Sequence, residues 1–158
     1  MVTNEREDCE VARGDHLRVK RMGGLYTHHG IDMGDGTVVH LSGEPLRRRD
    51  ARVCRSPMEE FLKEGEAEVV SHGPRRRLPD KVVATALAHL DETGYDVWRN
   101  NCEHFATYCA TGRRWSRQVV LAKRALQVAA GVAAGAVIVT GSIMMATRRY
   151  RGRDTNAG

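Results

Sequence analysis

Residues 26–43 read YTHHGIDMGDGTVVHLSG, and they decide how the first half of the chain folds. Residues 26–33 and 37–42 are predicted to be two strands on either side of a turn. Between them, Gly-Asp-Gly at 34–36 supplies residues that tolerate the positive φ of tight turns. The stretch therefore predicts a β-hairpin.

The length of the hairpin loop decides which histidines share a face of the sheet. A three-residue loop at 34–36 places Gly30 opposite His40, so that His28 and His40 point the same way on neighbouring strands. A two-residue loop shifts the register by one residue, so that His29 joins His40 and His28 points away. Both loops suit Gly-Asp-Gly, and these residues alone leave both alternatives open.

A cysteine that opens a predicted helix, Cys102, is the second chemical feature. In NNCEHFATYCATG, residues 100–112, Asn100 or Asn101 can cap the helix and Gly112 can end it. The free N–H groups at a helix start favour a thiolate and can hold an oxyanion. A nearby imidazole can shuttle the thiol proton. The pattern therefore predicts a nucleophilic thiol.

The other cysteines lack this setting: Cys9, Cys54 and Cys109. Cys109 lies deep in the same helix and is predicted to pack in the core. No Cys-x-x-Cys pair occurs, and the polar, acidic start of the chain does not resemble a secretory signal, which favours free thiols in a reducing compartment. A zinc site from Cys102, His28 and His40 is an alternative use of these donors, although the ligand spacing typical of zinc is absent.

The remaining pattern indicates a small α+β domain. The predicted elements are strands over 16–22 and 66–71, helices over 57–65 and 80–94, a loop over 72–79 and an extended segment over 95–98. Ser56 with Glu59 is predicted to form a capping box for the first of these helices, and Asp80 to cap the second.

The net charge and the end of the chain point to a membrane. The 158 residues carry a formal net charge of +5, and the arginines form clumps that suit lipid headgroups or nucleic acid. Residues 125–147 contain no charge, and a helix of this length can cross a bilayer core of about 30 Å. We expect a single-pass C-terminal anchor with the preceding domain in the cytosol. Gly131 and Gly135 have the spacing of a helix dimer, which suggests a homodimer.

Three stretches resemble the lecithin:retinol acyltransferase (LRAT) domain family, a branch of the NlpC/P60 superfamily. GDHLRV at 14–19 resembles the opening strand of the family, and NCEHF at 101–105 matches its nucleophile motif. THHGIDMGDGTVVHL at 27–41 resembles its histidine hairpin, in which a second His follows 12 residues after the first. The resemblance runs from about Val11 to Arg114.

The resemblance implies Cys102 as nucleophile, His28 as base and His40 as the residue that orients His28, which favours the three-residue loop. It implies a circularly permuted papain-like α+β domain, in which an antiparallel sheet packs on helices, and no cofactor or metal. His29 and Asp32 depart from the family pattern, which usually has an aromatic residue and a Tyr at these positions. We expect Asp32 to share the face of His28, where it would raise an imidazole pKa or bond to His40.

The implied organisation has five parts: a polar N-terminal tail (1–10), a catalytic domain (11–115), a basic linker (116–124), a membrane anchor (125–147) and a basic C-terminal tail (148–158). The implied activity is that of a thiol-dependent phospholipase A/acyltransferase of the phospholipase A/acyltransferase-like branch. Its partners would be glycerophospholipids and the bilayer, and not nucleic acid. Two alternatives are a cysteine amidase of the NlpC/P60 type and a non-enzymatic, membrane-anchored adaptor that keeps the histidine hairpin and the NC motif.

Overall fold

The computed structural model describes residues 11–42, 51–63, 65–94, 96 and 98–132. The chain divides into two compact units, Met1–Gln118 and Val119–Gly158. The strands of the first unit are β1 (His16–Arg21), β2 (Tyr26–Asp32), β3 (Thr37–Leu41), β4 (Val53–Pro57) and β5 (Ala67–Val69). Its helices are α1 (Met58–Leu62), α2 (Pro79–Ala88) and α3 (Cys102–Thr111). These elements confirm a mixed α+β fold.

The strands form one antiparallel sheet in the order β4-β3-β2-β1-β5. Gly30 pairs with His40, and the Met33 N–H donates to the Thr37 carbonyl at 3.0 Å. The hairpin loop therefore has three residues, 34–36, as the resemblance favours, and His28 and His40 lie on one face.

Each face of the sheet carries its own apolar cluster. Helices α2 and α3 cover one face, where Ile31, Val39 and Leu41 pack against Val82, Phe105 and Cys109. Cys109 is fully buried there, which confirms its predicted place in the core. Helix α1 covers the other face, where Phe61 packs with Leu17, Val19 and Val38. Each side chain of β2 therefore belongs to one of two separate environments.

Strand β4 and the start of α1 differ from the prediction. Ser56 pairs with Val38 as part of β4, and α1 begins only at Met58, without a side-chain cap. The predicted Ser56–Glu59 capping box is therefore wrong. Pro57 ends β4, a place at which an edge strand tolerates proline, so the same Ser-Pro sequence fits both structures.

Helix α2 also has different limits. It begins at Pro79, with Leu78 rather than Asp80 at the cap position, and ends at Ala88 instead of continuing to Gly94. Asp91 has a φ of 63°, which a helix cannot accommodate, so the predicted last turn is lost.

The predicted tail is described only in part. Residues 117–132 are helical, and none of the helices within the described ranges is both long and apolar enough to cross a bilayer. Residues 133–147 of the predicted anchor, Gly135 of the predicted dimer contact, and the tails 1–10 and 148–158 lie outside the described residues.

A substitution at Gly30 tests the close packing under α1. A Cβ at this position would lie 2.5 Å from Val38 Cγ1 and 2.9 Å from Phe61 Cε2. Gly30→Ala should therefore lower the free energy of unfolding by about 1–3 kcal/mol, measured by urea denaturation. Val38→Ala in the same chain should restore part of that loss, because it makes room for the added methyl group. Simple additivity of the two losses would contradict this packing.

Candidate active site

His28 and His40 form an imidazole pair on the α1 face of the sheet. His28 Nε2 lies 3.0 Å from His40 Nδ1, and both rings pack against Phe61 with centroids 5.3 Å and 5.4 Å away. Nε2 of His28 is thus held by His40. Within the described part of the chain, His28 Nδ1 has no hydrogen-bond partner. This nitrogen is the ring atom that remains available to a thiol or a leaving group.

The imidazole pair is neutral at pH 7. Burial, followed by the neighbouring His40, holds the pKa of His28 well below its usual value. Burial likewise lowers the pKa of His40 to about 4. Because a neutral ring has one donor and one acceptor nitrogen, one histidine donates to the other, and His28 can serve as a base.

A thiol that the sequence interpretation set aside lies beside this pair. Cys54 Sγ is 3.6 Å from His40 Nε2, and Ser56 Oγ is 3.3 Å from the same nitrogen. Cys54 lies in β4 and not at a helix start, as predicted, but its place beside His40 is a setting that the sequence did not indicate. Only the pairing of Cys54 with His40 across β3 and β4 reveals the contact, and β4 was not predicted. A cleft of about 170 Å³ opens beside His28 and His40.

The NCEHF motif builds the start of α3. Asn101 is the N-cap, and its side chain accepts a hydrogen bond from the His104 N–H at 3.0 Å. The His104 ring accepts in return from the Asn101 N–H at 3.4 Å, which completes a capping box. Gly112, with a φ of 81°, ends the helix. The predicted limits of this helix are confirmed.

Cys102 lies against the backbone on both sides of His28. Its Sγ is 3.8 Å from the Thr27 carbonyl oxygen, and the backbone N–H of His29 acts to lower the thiol pKa. The sulfur belongs to the cluster under α2 and α3, whereas the His28 ring points to the α1 face. The structure thus brings His28 and His40 together and places Cys102 beside the strand that carries His28, without a hydrogen bond between the thiol and either ring.

The Gln118 side chain takes the place of a neighbouring strand beside Thr27 of β2. Because β3 pairs with β2 only from Gly30 onward, Thr27 has no β3 partner. The Gln118 amide replaces it: Oε1 accepts from the Thr27 N–H at 2.9 Å, and Nε2 donates to the Thr27 carbonyl at 3.3 Å. The buried Glu103 carboxylate accepts from Gln118 N–H at 3.0 Å and from Ser116 Oγ at 2.5 Å, and so fixes this amide.

His29 points to the α3 face, opposite to His28, and belongs to a chain of three imidazoles. Its Nδ1 is 2.8 Å from His16 Nε2, and His16 Nδ1 is 2.8 Å from His72 Nε2. Its Nε2 is 2.7 Å from Thr27 Oγ1. His16, Glu103 and Gln118 were not predicted as site residues. His16 lies in GDHLRV and Glu103 lies in NCEHF, so these two motifs could have indicated both residues from the sequence.

Burial dominates the acidity of the Cys102 thiol. The side chain is 7% exposed, and burial raises the pKa of the thiol to about 11, although N–H groups of His29, Glu103 and Cys102 favour the thiolate. The N–H groups at the helix start act in the expected direction, but burial outweighs them and the net shift of the pKa is upward. Helix dipoles contribute only about 0.3–1 kcal/mol, which loss of solvation exceeds.

Asp32 serves the hairpin turn. Its Oδ1 accepts from the Gly34 N–H at 2.6 Å, and no hydrogen bond joins it to His40. Of the two roles considered for Asp32, the bond to His40 does not form, because the carboxylate accepts from the turn amide instead. Among the described residues, no cluster of His, Cys, Asp or Glu has the geometry of a metal site.

Comparison with known proteins assigns the family. The sequence profile of the lecithin retinol acyltransferase family matches residues 9–115. The chain belongs to this family. Human phospholipase A and acyltransferase 2 is 30% identical over 154 residues, which cover 87% of this chain and 93% of the relative. Rat lecithin retinol acyltransferase is 31% identical over 134 residues, which cover 67% of this chain and 57% of the relative.

A plant relative belongs to the same group. Protein LEAD-SENSITIVE 1 of Arabidopsis thaliana is 26% identical over an alignment 159 residues long. The match covers 70% of this chain and 61% of that protein. The chain thus spans less than two thirds of the length of the plant and rat relatives, and nearly the full length of the human one. Members of this family carry the names of acyltransferases and phospholipases.

The raised thiol pKa makes a prediction for alkylation. Iodoacetamide attacks the thiolate, so its rate at Cys102 should rise about tenfold per pH unit from pH 7 towards 11. Peptide mass spectrometry would give the rate for each cysteine, with the half-buried Cys54 as an internal comparison. A rate at Cys102 that is already constant between pH 6 and pH 8 would show a preformed thiolate and contradict the prediction.

Proposed function

We propose that the protein is a thiol-dependent acyltransferase or phospholipase that acts on glycerophospholipids through an acyl-cysteine intermediate. One observation carries the proposal: in a chain of this family, the thiol at the start of α3 lies against β2, the strand that carries His28, and His28 is paired with His40 of β3. The named activities of the human and rat relatives agree with this class of reaction.

The proposed reaction begins with proton transfer from Cys102 to His28 Nδ1. The thiolate then attacks an ester carbonyl of the lipid, and N–H groups at the start of α3 stabilise the oxyanion. His28 returns the proton to the leaving alkoxide, which leaves an acyl thioester on Cys102. Water, or an amine or hydroxyl acceptor, then takes the acyl group, and His40 keeps the His28 ring oriented throughout.

The thiol and the imidazole reach each other only when the edge of β2 opens. The sulfur is buried on one side of the strand, and the His28 ring points to the other. Between them, the strand edge at Thr27 is closed by the Gln118 amide instead of by β3. A side-chain amide is easier to displace than a strand, so this edge is the proposed point of lipid entry.

The membrane setting forms part of the proposal. Residues 125–147 would anchor the domain 11–115 at a bilayer through the linker 116–124, and the permuted papain-like arrangement would place the thiol at the lipid surface. A tethered domain receives its lipid without transfer through water. Contact between Gly131 and Gly135 of two copies would give the dimer.

A second candidate function is favoured by the resting state of the thiol. A buried Cys102 with a raised pKa and no imidazole contact also suits an adaptor that keeps the fold without catalysis. The two functions differ in whether an acyl group ever reaches the sulfur.

Acyl trapping separates the two functions. The full chain is incubated with phosphatidylcholine vesicles, quenched in acid and analysed by intact-mass and peptide mass spectrometry. We expect an acyl adduct on Cys102 and a fall of fatty acid release by at least about a thousandfold in Cys102→Ala. Cys54→Ala is the matched control and should keep the adduct. An adduct on Cys54, or equal release from Cys102→Ala, would overturn the proposal.

Two adjacent substitutions test the base. His28→Gln should slow formation of the adduct by about a hundredfold or more, because proton transfer by a positioned imidazole is lost. His29→Gln removes the neighbouring imidazole on the opposite face and should slow it less than about tenfold. Thermal unfolding of both variants would control for damage to the fold. The reverse order of the two effects would assign the base to His29 and reject His28.

A further inference from the structure

A cavity of about 530 Å³ opens on the first unit, apart from the cleft beside His28 and His40. Its wall combines the end of α3 and the segment that follows it with β1 and the loop after β5. Five arginines line it: Arg18, Arg75, Arg113, Arg114 and Arg117. The cavity is much larger than the cleft and lies within the size range of small-ligand sites.

Four of the five arginines form no ion pair with the described residues. Arg18 is paired with Glu68 at 2.6 Å, and Arg114 donates to Asn100 Oδ1 at 2.7 Å. The others are Arg75, Arg113 and Arg117, for which the described residues provide no carboxylate within ion-pair distance. Guanidinium groups gathered in one cavity raise the local potential and attract an anion.

The one acidic group in the wall is already engaged. Glu103 accepts hydrogen bonds from Ser116 and from Gln118, and its single negative charge faces five guanidinium groups in the same wall. The His72 ring and the exposed Trp115 also line the cavity. Planar guanidinium forks match the oxygens of a phosphate group.

We propose that this cavity binds a phosphomonoester group, carried either by a molecule free in solution or by the headgroup of an anionic lipid. The proposal rests on the arginines of the cavity and does not depend on the acyl chemistry at Cys102. Both sources present the same dianionic phosphate, and the experiment below separates them.

Intrinsic fluorescence gives a direct measure of binding. The chain has two tryptophans, and Trp98→Phe leaves Trp115, which lines the cavity, as the reporter. The full chain carrying this change is titrated with inositol trisphosphate. It is also sedimented with phosphatidylcholine vesicles, with and without phosphatidylinositol bisphosphate. We expect saturable quenching or shift of Trp115 with the soluble probe, or additional sedimentation with the phosphorylated lipid.

Two triple variants, each of which removes three positive charges, test whether the probes bind in this cavity. Replacement of Arg75, Arg113 and Arg117 by Gln should weaken binding at least about tenfold. The matched control replaces exposed Arg52, Lys81 and Arg99 by Gln and should change binding less than about twofold. Binding of the soluble probe supports a site open to free or lipid-borne phosphate, and binding only to the phosphorylated lipid supports a headgroup site.

Two results would overturn the proposal. The first is equal weakening by both triple variants, which would show attraction by net charge alone. The second is the absence of binding to both probes. Cys102→Ala should bind as tightly as the parent chain, so a loss of acyl transfer and a loss of phosphate binding are distinguishable.

Discussion

The alternation of side chains along β2 is the constraint on which the rest of the structure depends. Because successive residues of a strand point to opposite faces, His28 meets His40 and Phe61 under α1, while His29 meets His16 under α3. The loop at 34–36 fixes this arrangement through the pairing of Gly30 with His40. A slip of the β2–β3 register by one residue would place His29 instead of His28 on the face of His40. The pairing of His28 with His40 is therefore set by the length of one turn, while the pairing of β1 with β2 brings His29 to His16.

The NCEHF motif makes local folding and chemistry inseparable at the start of α3. Asn101 and His104 satisfy the helix end, Phe105 buries the helix in the core, and Glu103 fixes the Gln118 amide. The same helix start also places the Cys102 sulfur against the Thr27 carbonyl. The burial that stabilises the helix start is thus the cause of the raised thiol pKa.

The local patterns of the sequence predict the hairpin and both ends of α3, since turn glycines and caps act over a few residues. They leave His28 and His29 as alternative partners of His40, and only the family resemblance favours His28. They also do not predict β4, and with it the position of Cys54 beside His40, because a short Ser-Pro segment fits a strand as well as a helix start. The chain of His16, His29 and His72 is also missed. Its members are joined across 56 positions of sequence by β1 and the loop after β5, and no local pattern carries that pairing.

The neutral forms of the thiol and the imidazole follow from where they are held. A thiolate–imidazolium pair in a buried site would lose the hydration of two charges, and the contact that could offset this loss does not form across β2. Under the proposed chemistry, the ion pair belongs to the moment when lipid opens the edge at Thr27, because only then do the two groups meet. The Gln118 amide would then do more than satisfy a strand edge. Since it holds the Thr27 backbone and shares the Thr27 carbonyl with the sulfur, its displacement would free both partners together. Reactivity would in this way be confined to the lipid-bound state, and the free thiol would be protected from other electrophiles.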